Sequence, residues 1–141
     1  MKVLFVGDPH LQHQRLDDAK SFLEQLKQVC LSDDHELLVI LGDLFHTFSV
    51  IRSEVLSLWN EFFLWSSEQK FQTIALVGNH DFAGQSGGSH ALEVFSDKIH
   101  VVSSFVEFLG FYWMPFIRDQ KEFEKQVQSI PAEKILICHQ S

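Results

Sequence analysis

Cysteine is scarce in this 141-residue chain: there are two, Cys30 and Cys138. They lie far apart in apolar surroundings (QVCL and ILIC), which argues against a disulfide-framed secreted scaffold. Buried free thiols in a reducing, cytoplasmic compartment are the expectation. Long hydrophobic runs are also missing. No stretch approaches the roughly 20 apolar residues of a membrane span, so no membrane role is expected. The apolar segment of MKVLFVGDPH is too brief for a secretory signal. Positive charge is the third shortage. Eleven lysines and arginines against 19 acidic residues give a formal net charge of −8. A protein that grips nucleic acid through a static basic face is cationic. Arg118, Lys121 and Lys125 come nearest to such a patch. Asp119, Glu122 and Glu124 interleave with them, as on a solvated helix face. If the substrate carries phosphates, bound divalent metal has to neutralise them.

What is present is an ordinary globular balance, 45% hydrophobic and 21% charged, and a length that suits one domain over 1–141 with a sizeable core. Four apolar segments read as buried strands: KVLFVG at 2–7, LLVILG at 37–42, TIALVG at 73–78 and KILICH at 134–139. Their near-continuous apolar character implies cover on both faces. Between them, residues 15–31 put Ala19, Phe22, Leu23, Leu26, Val29 and Cys30 on one helical stripe. Residues 52–66 gather Val55, Leu56, Trp59, Phe62 and Phe63, with Leu58 and Trp65 widening the arc. A short helix is expected over 89–96 with Ser89 as N-cap. Another should open at Asp119 and run to about 129, before Pro131. Segments 99–102, 105–108 and 111–114 look like short strands, possible members of a meander. The alternation argues for an α/β layered domain with a largely parallel central sheet. Ligand sites in such sheets lie outside the carboxyl ends of the strands.

Those ends carry the chemistry. The first strand runs into Asp8 and His10 in GDPH. The second runs into Asp43 in GDLFH, and the third into Asn79, His80 and Asp81 in GNHD. The fourth ends on His139 in CHQS. Carboxylate and amide oxygens with imidazole nitrogens suit Mn²⁺, Fe²⁺, Zn²⁺ or Mg²⁺. A single aspartate that lends one oxygen to each of two ions explains why Asp43 stands without a second carboxylate close by in sequence. Ions ~3.5–4 Å apart activate a water and clamp a phosphoryl group.

The ordered motifs D-x-H, G-D, G-N-H-[DE] and a later strand-end histidine resemble the calcineurin-like metallophosphoesterases over essentially the whole chain. That resemblance implies a two-metal phosphoesterase in a β-sandwich flanked by helices. Carried over by motif, Asp8 and His10 hold the first ion, Asp43 bridges, and Asn79 and His139 hold the second. His80 then lies outside the coordination shell beside the scissile phosphate, with Asp81 as an orienting partner. His46 in GDLFH, the glycine-rich loop after GNHD leading into HALEVF, the MPFIRD turn and ILICHQS are similar to the SbcD-type and meiotic-recombination nucleases. Within that branch His46 positions the phosphate or the leaving strand. His13 and His90 are further candidates for substrate contact. The implied substrate is DNA, the implied ion Mn²⁺, and the implied partner a coiled-coil ATPase of the SbcC type. A homodimer through the aromatic helix around Trp59 is a further expectation. Two other functions stand beside the nuclease: a phosphodiesterase for small substrates, and a catalytically silent remnant serving as a binding module. The family pattern continues to a G-H-x-H element that gives each ion another histidine. The expectation is therefore an N-terminal part of the fold that lacks its final strands.

Overall fold

The chain alternates strand and helix as its apolar periodicity requires: β1 Val3–Val6, α1 Leu16–Ser32, β2 Leu37–Ile40, α2 Ser53–Ser67 and β3 Gln72–Leu76. After a 3-10 turn at Ala91–Phe95 come β4 His100–Val102, β5 Val106–Phe108, β6 Phe111–Met114, α3 Gln120–Gln128 and β7 Leu136–Cys138. The structure is a computed structural model that describes residues 1–47, 50–82 and 89–140. Most of the glycine-rich loop, residues 83–88, lies outside the described residues.

Two sheets form. One is parallel throughout, in the order β1-β2-β3-β4, with Val3 beside Leu37, Leu38 beside Thr73 and Ile74 beside His100. The other has the order β5-β6-β7, antiparallel between β5 and β6 and parallel between β6 and β7. Residues of β2 and β3 point alternately to opposite faces. Leu38, Ile40, Ala75 and Val77 pack with Ala19, Leu23, Leu26, Trp59, Phe62 and Phe63 from α1 and α2. Leu37, Val39, Ile74 and Leu76 pack with Trp113 and Ile137 of the second sheet. The central strands are thus covered twice, by helices on one side and by a sheet on the other. This is a mixed α/β layering of helices, parallel sheet and second sheet. No described helix is long and apolar enough to cross a membrane.

Four expectations change in detail. The strand expected over 134–139 is shortened to β7 and joins the second sheet beside β6 instead of the central one, and the one buried residue of β7 is Ile137. The 99–114 meander is divided. Its first strand, β4, follows a crossover turn and so pairs parallel to β3. Only β5 and β6 form a hairpin, through Leu109 and Gly110 at φ +55° and +80°. Two successive left-handed residues match a primed hairpin turn, in which glycine adopts the conformation freely. The helix at 89–96 is a five-residue 3-10 turn preceded by extended His90, because burying Leu92 and Phe95 needs only a spacing of three. Lastly, β1 is an edge strand, and Phe5 stays 48% exposed. On α1, Val29 likewise falls outside the buried stripe.

Asp119 caps α3 as expected, accepting from the Lys121 and Glu122 amides at 2.9 and 3.3 Å. The helix itself buries no residue. Both thiols are free, Cys30 buried and Cys138 half-buried, and burial pushes the Cys30 thiol up to about 11. Trp59 is wholly buried within an aromatic cluster, stacking on Phe63 at 5.2 Å. Its indole Nε1–H donates 3.0 Å to the Leu44 carbonyl, in the loop that carries Asp43. A Trp59→Phe chain keeps most of the packing and leaves that carbonyl with the Leu11 amide as its remaining donor. It should lose about 1 kcal/mol in a urea titration, and unchanged stability would show that the bond holds nothing in place.

Candidate metal centre

The loops after the parallel strands remain paired beyond the sheet. The His10 amide donates to the Asp43 carbonyl at 2.9 Å, Leu11 to Leu44 at 3.0 Å, and His46 back to Leu11 at 3.1 Å. This continuation carries His10 alongside Asp43, with Nε2 3.4 Å from Oδ2. Asp43 is 4% exposed. Its Oδ1 accepts the His80 amide at 2.9 Å, which ties the third strand's loop to the second's. Its Oδ2 also lies 3.5 Å from His139 Nε2. His139 arrives from the other sheet, its amide donating to the Met114 carbonyl. The ring is therefore brought in by β7 and not by a neighbouring parallel strand.

Two imidazoles have their tautomers set by backbone. His139 Nδ1 lies 2.7 Å from the Leu41 carbonyl, and His80 Nδ1 lies 2.7 Å from the His46 carbonyl. A carbonyl only accepts, so each Nδ1 carries a proton, and Nε2 is the ring nitrogen left to face a cation or a phosphate. Asn79 stands 2.9 Å from His139 Nε2. With its nitrogen turned inward, the Asn79 amide donates to that lone pair and to both Asp43 oxygens at 3.1–3.2 Å. The reverse orientation presents its oxygen, the atom that would ligate. Burial pushes the His10 imidazole below its ordinary value, opposed by the Asp43 charge and assisted by His80. His10 Nδ1 is buried without a protein partner.

The donor atoms fall into two overlapping groups. His10, Asp43 and His80 form one, and Asp8, Asp43 and His139 the other, with the ligand atoms of each group within 4.8 Å of one another. Asp43 belongs to both. Carboxylate oxygen and neutral imidazole suit divalent cations, and two ions sharing one carboxylate fit this set. The grouping differs from the motif-based pairing, since His10 is joined with His80 and Asp8 with His139.

The sequence pattern of the calcineurin-like phosphoesterases matches residues 1–141. The chain belongs to that family. The 244L protein of Invertebrate iridescent virus 6, whose name carries the word phosphoesterase, is 32% identical over 81 residues, 57% of this chain and 28% of that protein. Among solved structures, the nuclease MPE of Pseudomonas putida superposes with a TM-score of 0.53 at 21% identity, over 79% of this chain and 52% of that one. The chain thus spans about half of the solved neighbour and about a quarter of the curated relative.

Backbone shape makes the phosphoesterase centre possible. Asp8, His10 and Asp43 have φ of +35°, +48° and +52°, a left-handed region that non-glycine residues adopt at some strain. Gly42 has φ +99°, and a Cβ there would lie 2.6 Å from His139 Nδ1. Asp81 sits beneath the centre, 1% exposed. Its oxygens accept the Gly78 amide at 2.9 Å and the Phe45 amide at 3.3 Å, so it clasps the second and third loops. Burial pushes its carboxyl up to about 7 in spite of those donors.

The other candidates lie around this core. The His46 ring is 5.7 Å from His10 and 6.1 Å from His80, at the exposed rim. His13 is in a 3-10 turn and within electrostatic reach of Glu54 at the start of α2. The His90 side chain is 6% exposed, edge-on to Phe82 at 6.3 Å and 3.8 Å from Glu93. Sequence reading missed Phe116, whose ring meets His139 edge-on at 6.3 Å. It also missed the bond from the Gln140 amide to the Ile117 carbonyl, which joins the CHQS and MPFIRD motifs. The only advance signal was the presence of both motifs in one chain.

At Gly78 a Cβ would stand 2.2 Å from Asp43 Oδ1 and 2.3 Å from the Asp43 amide nitrogen. Gly78→Ala should displace the shared carboxylate and weaken Mn²⁺ binding about tenfold or more in a calorimetric titration. Affinity equal to the parent chain's would mean that Asp43 does not hold the ions.

Proposed function

We propose that this phosphoesterase chain is the catalytic part of a DNA nuclease of the SbcD type, hydrolysing phosphodiester bonds with two Mn²⁺ ions. The observation that carries the hydrolytic reading is Asp43 standing in both ligand groups. The DNA assignment rests on the GDLFH, MPFIRD and CHQS motifs, and gains support from the fold likeness to a bacterial nuclease. Asp8, His10, Asp43, Asn79 and His139 are the residues assigned to hold the ions. When bound, the ions activate a water and offset charge on the phosphoryl oxygens. The protein contributes alignment and proton handling. His80, its Nδ1 donating to the His46 carbonyl, is assigned to the phosphate and not to an ion: with Nε2 also protonated it assists the departing oxygen. His46 orients the phosphate at the rim. Asp81 acts beneath them by keeping the two loops together. An SbcC-type ATPase supplies the DNA grip that an acidic chain lacks, and pairing of two copies through α2 is part of the same assignment.

The test compares single-stranded DNA, double-stranded DNA and bis(4-nitrophenyl) phosphate with Mn²⁺. Cleavage of DNA should occur and should fall about a hundredfold or more in Asp43→Asn. Turnover of the chromogenic diester alone would move the assignment to small substrates. No turnover combined with no Mn²⁺ binding would identify a binding module. His46→Ala should lower DNA cleavage, and full activity in that variant would remove His46 from the site.

A further inference from the structure

Beside His10 a cleft of about 210 Å³ opens between the loop after β1 and the first turns of α1, lined among others by His10, Leu11, Gln12, Arg15, Asp18 and Phe22. It is continuous with the metal centre through His10, whose Nε2 lies 3.4 Å from the shared Asp43. Its wall is apolar. Leu11 is 6% exposed and belongs to the main core, and Phe22 packs against that core from a half-buried position. The edge is polar, with a carboxamide, a carboxylate and a guanidinium. An apolar wall beside mixed donors and acceptors is the chemistry that receives a base.

Arg15 decides what else the cleft receives. Cations are few in this chain, and several are engaged: Lys2 with Asp33, Lys27 with Glu24, Arg52 with Glu54, and Lys98 with Asp97. Arg15 has no ion-pair partner among the described residues, although Asp18 is one turn further on. An unpaired guanidinium in a cleft that adjoins a phosphate-processing centre can reach a second phosphate, where its planar fork binds two oxygens at once.

We propose that this cleft is the subsite for the nucleotide next to the scissile phosphate. Arg15 neutralises that nucleotide's other phosphate, and the base lies along Phe22 and Leu11 with Gln12 and Asp18 at its edge. The inference rests on the phosphodiesterase reading above and adds to it a requirement for a polynucleotide over a simple diester. Arg15 is a positioning residue, and its removal should act on binding and not on the chemical step.

Three dinucleotides test it: TpT, pTpT with a 5′ phosphate and TpTp with a 3′ phosphate. KM and kcat are measured with Mn²⁺, and binding is measured in parallel by calorimetry. In the parent chain one of the terminal phosphates should lower KM by about tenfold relative to TpT, as expected for one charge-assisted pair. Arg15→Gln should erase that advantage, leave kcat and the TpT constants within about twofold, and be partly rescued by Arg15→Lys. A parent chain indifferent to both terminal phosphates would overturn the proposal, as would an Arg15→Gln chain that keeps the advantage. If the parent chain cleaves none of the three, the phosphodiesterase reading fails. The calorimetric comparison of pTpT and TpTp with TpT, in parent and variant, still decides the subsite.

Discussion

The centre depends on how closely the backbone after β3 passes the carboxylate after β2. At Gly78 there is no room for one additional carbon, because Asp43 Oδ1 and the Asp43 amide nitrogen occupy the position a Cβ would take. One residue further on, Asn79 comes alongside the same carboxylate, and the next amide, that of His80, donates to Oδ1. A side chain at 78 would open that contact and separate the second motif from the third. The approach is possible because β2 and β3 are adjacent parallel strands in matched register, so their loops leave the sheet at the same level. The ligand geometry is therefore a consequence of strand pairing several residues away.

Close packing of loops carries energetic costs, and the structure shows where they are offset. Three of the residues that present ligands have left-handed backbones, each costing on the order of 1–2 kcal/mol. Asp81 adds a second cost, since its carboxylate is removed from water near the charge of Asp43. Against this, it accepts two backbone amides that would otherwise be buried unpaired. Leu38 and Ile40 face the helices while Leu37 and Val39 face the second sheet, so the strand that delivers Asp43 is buried on both sides. Strain at a strand end persists only when the strand is held, and β2, which delivers Asp43, is held on both faces.

The first three strands and both long helices were legible from the chain because their apolar periods are long and unbroken. The ligands after the first three strands were legible because Asp8, Asp43 and Asn79 each follow a glycine at the carboxyl end of such a run. The sheet to which β7 belongs was not legible. A three-residue strand with one buried position reads the same whether it extends a parallel sheet or starts a second one. Nor did any local pattern announce that His139 would donate to Leu41, 98 residues away, or that Gln140 would reach Ile117. Those bonds are consequences of packing two sheets face to face. Asp81 illustrates the limit best. Its place in GNHD suggested a partner for His80, whereas both its oxygens are engaged by the amides of two different loops.

Charge connects the architecture to the chemistry. A chain with net charge −8 repels a polyanion at long range, so any affinity for phosphate has to be created locally. The α3 surface does not create it, because Asp119, Glu122 and Glu124 are interleaved with its lysines and the helix buries nothing. At the strand ends the excess of carboxylate becomes useful: oxygens that repel phosphate attract divalent cations, and the cations reverse the sign of the site. The imidazoles of His10, His80 and His139 bring further donor atoms to the same strand ends. Phosphate recognition in this chain is thereby made conditional on metal. On the nuclease reading proposed above, loading of the ions and capture of a phosphate at this centre become a single coupled event.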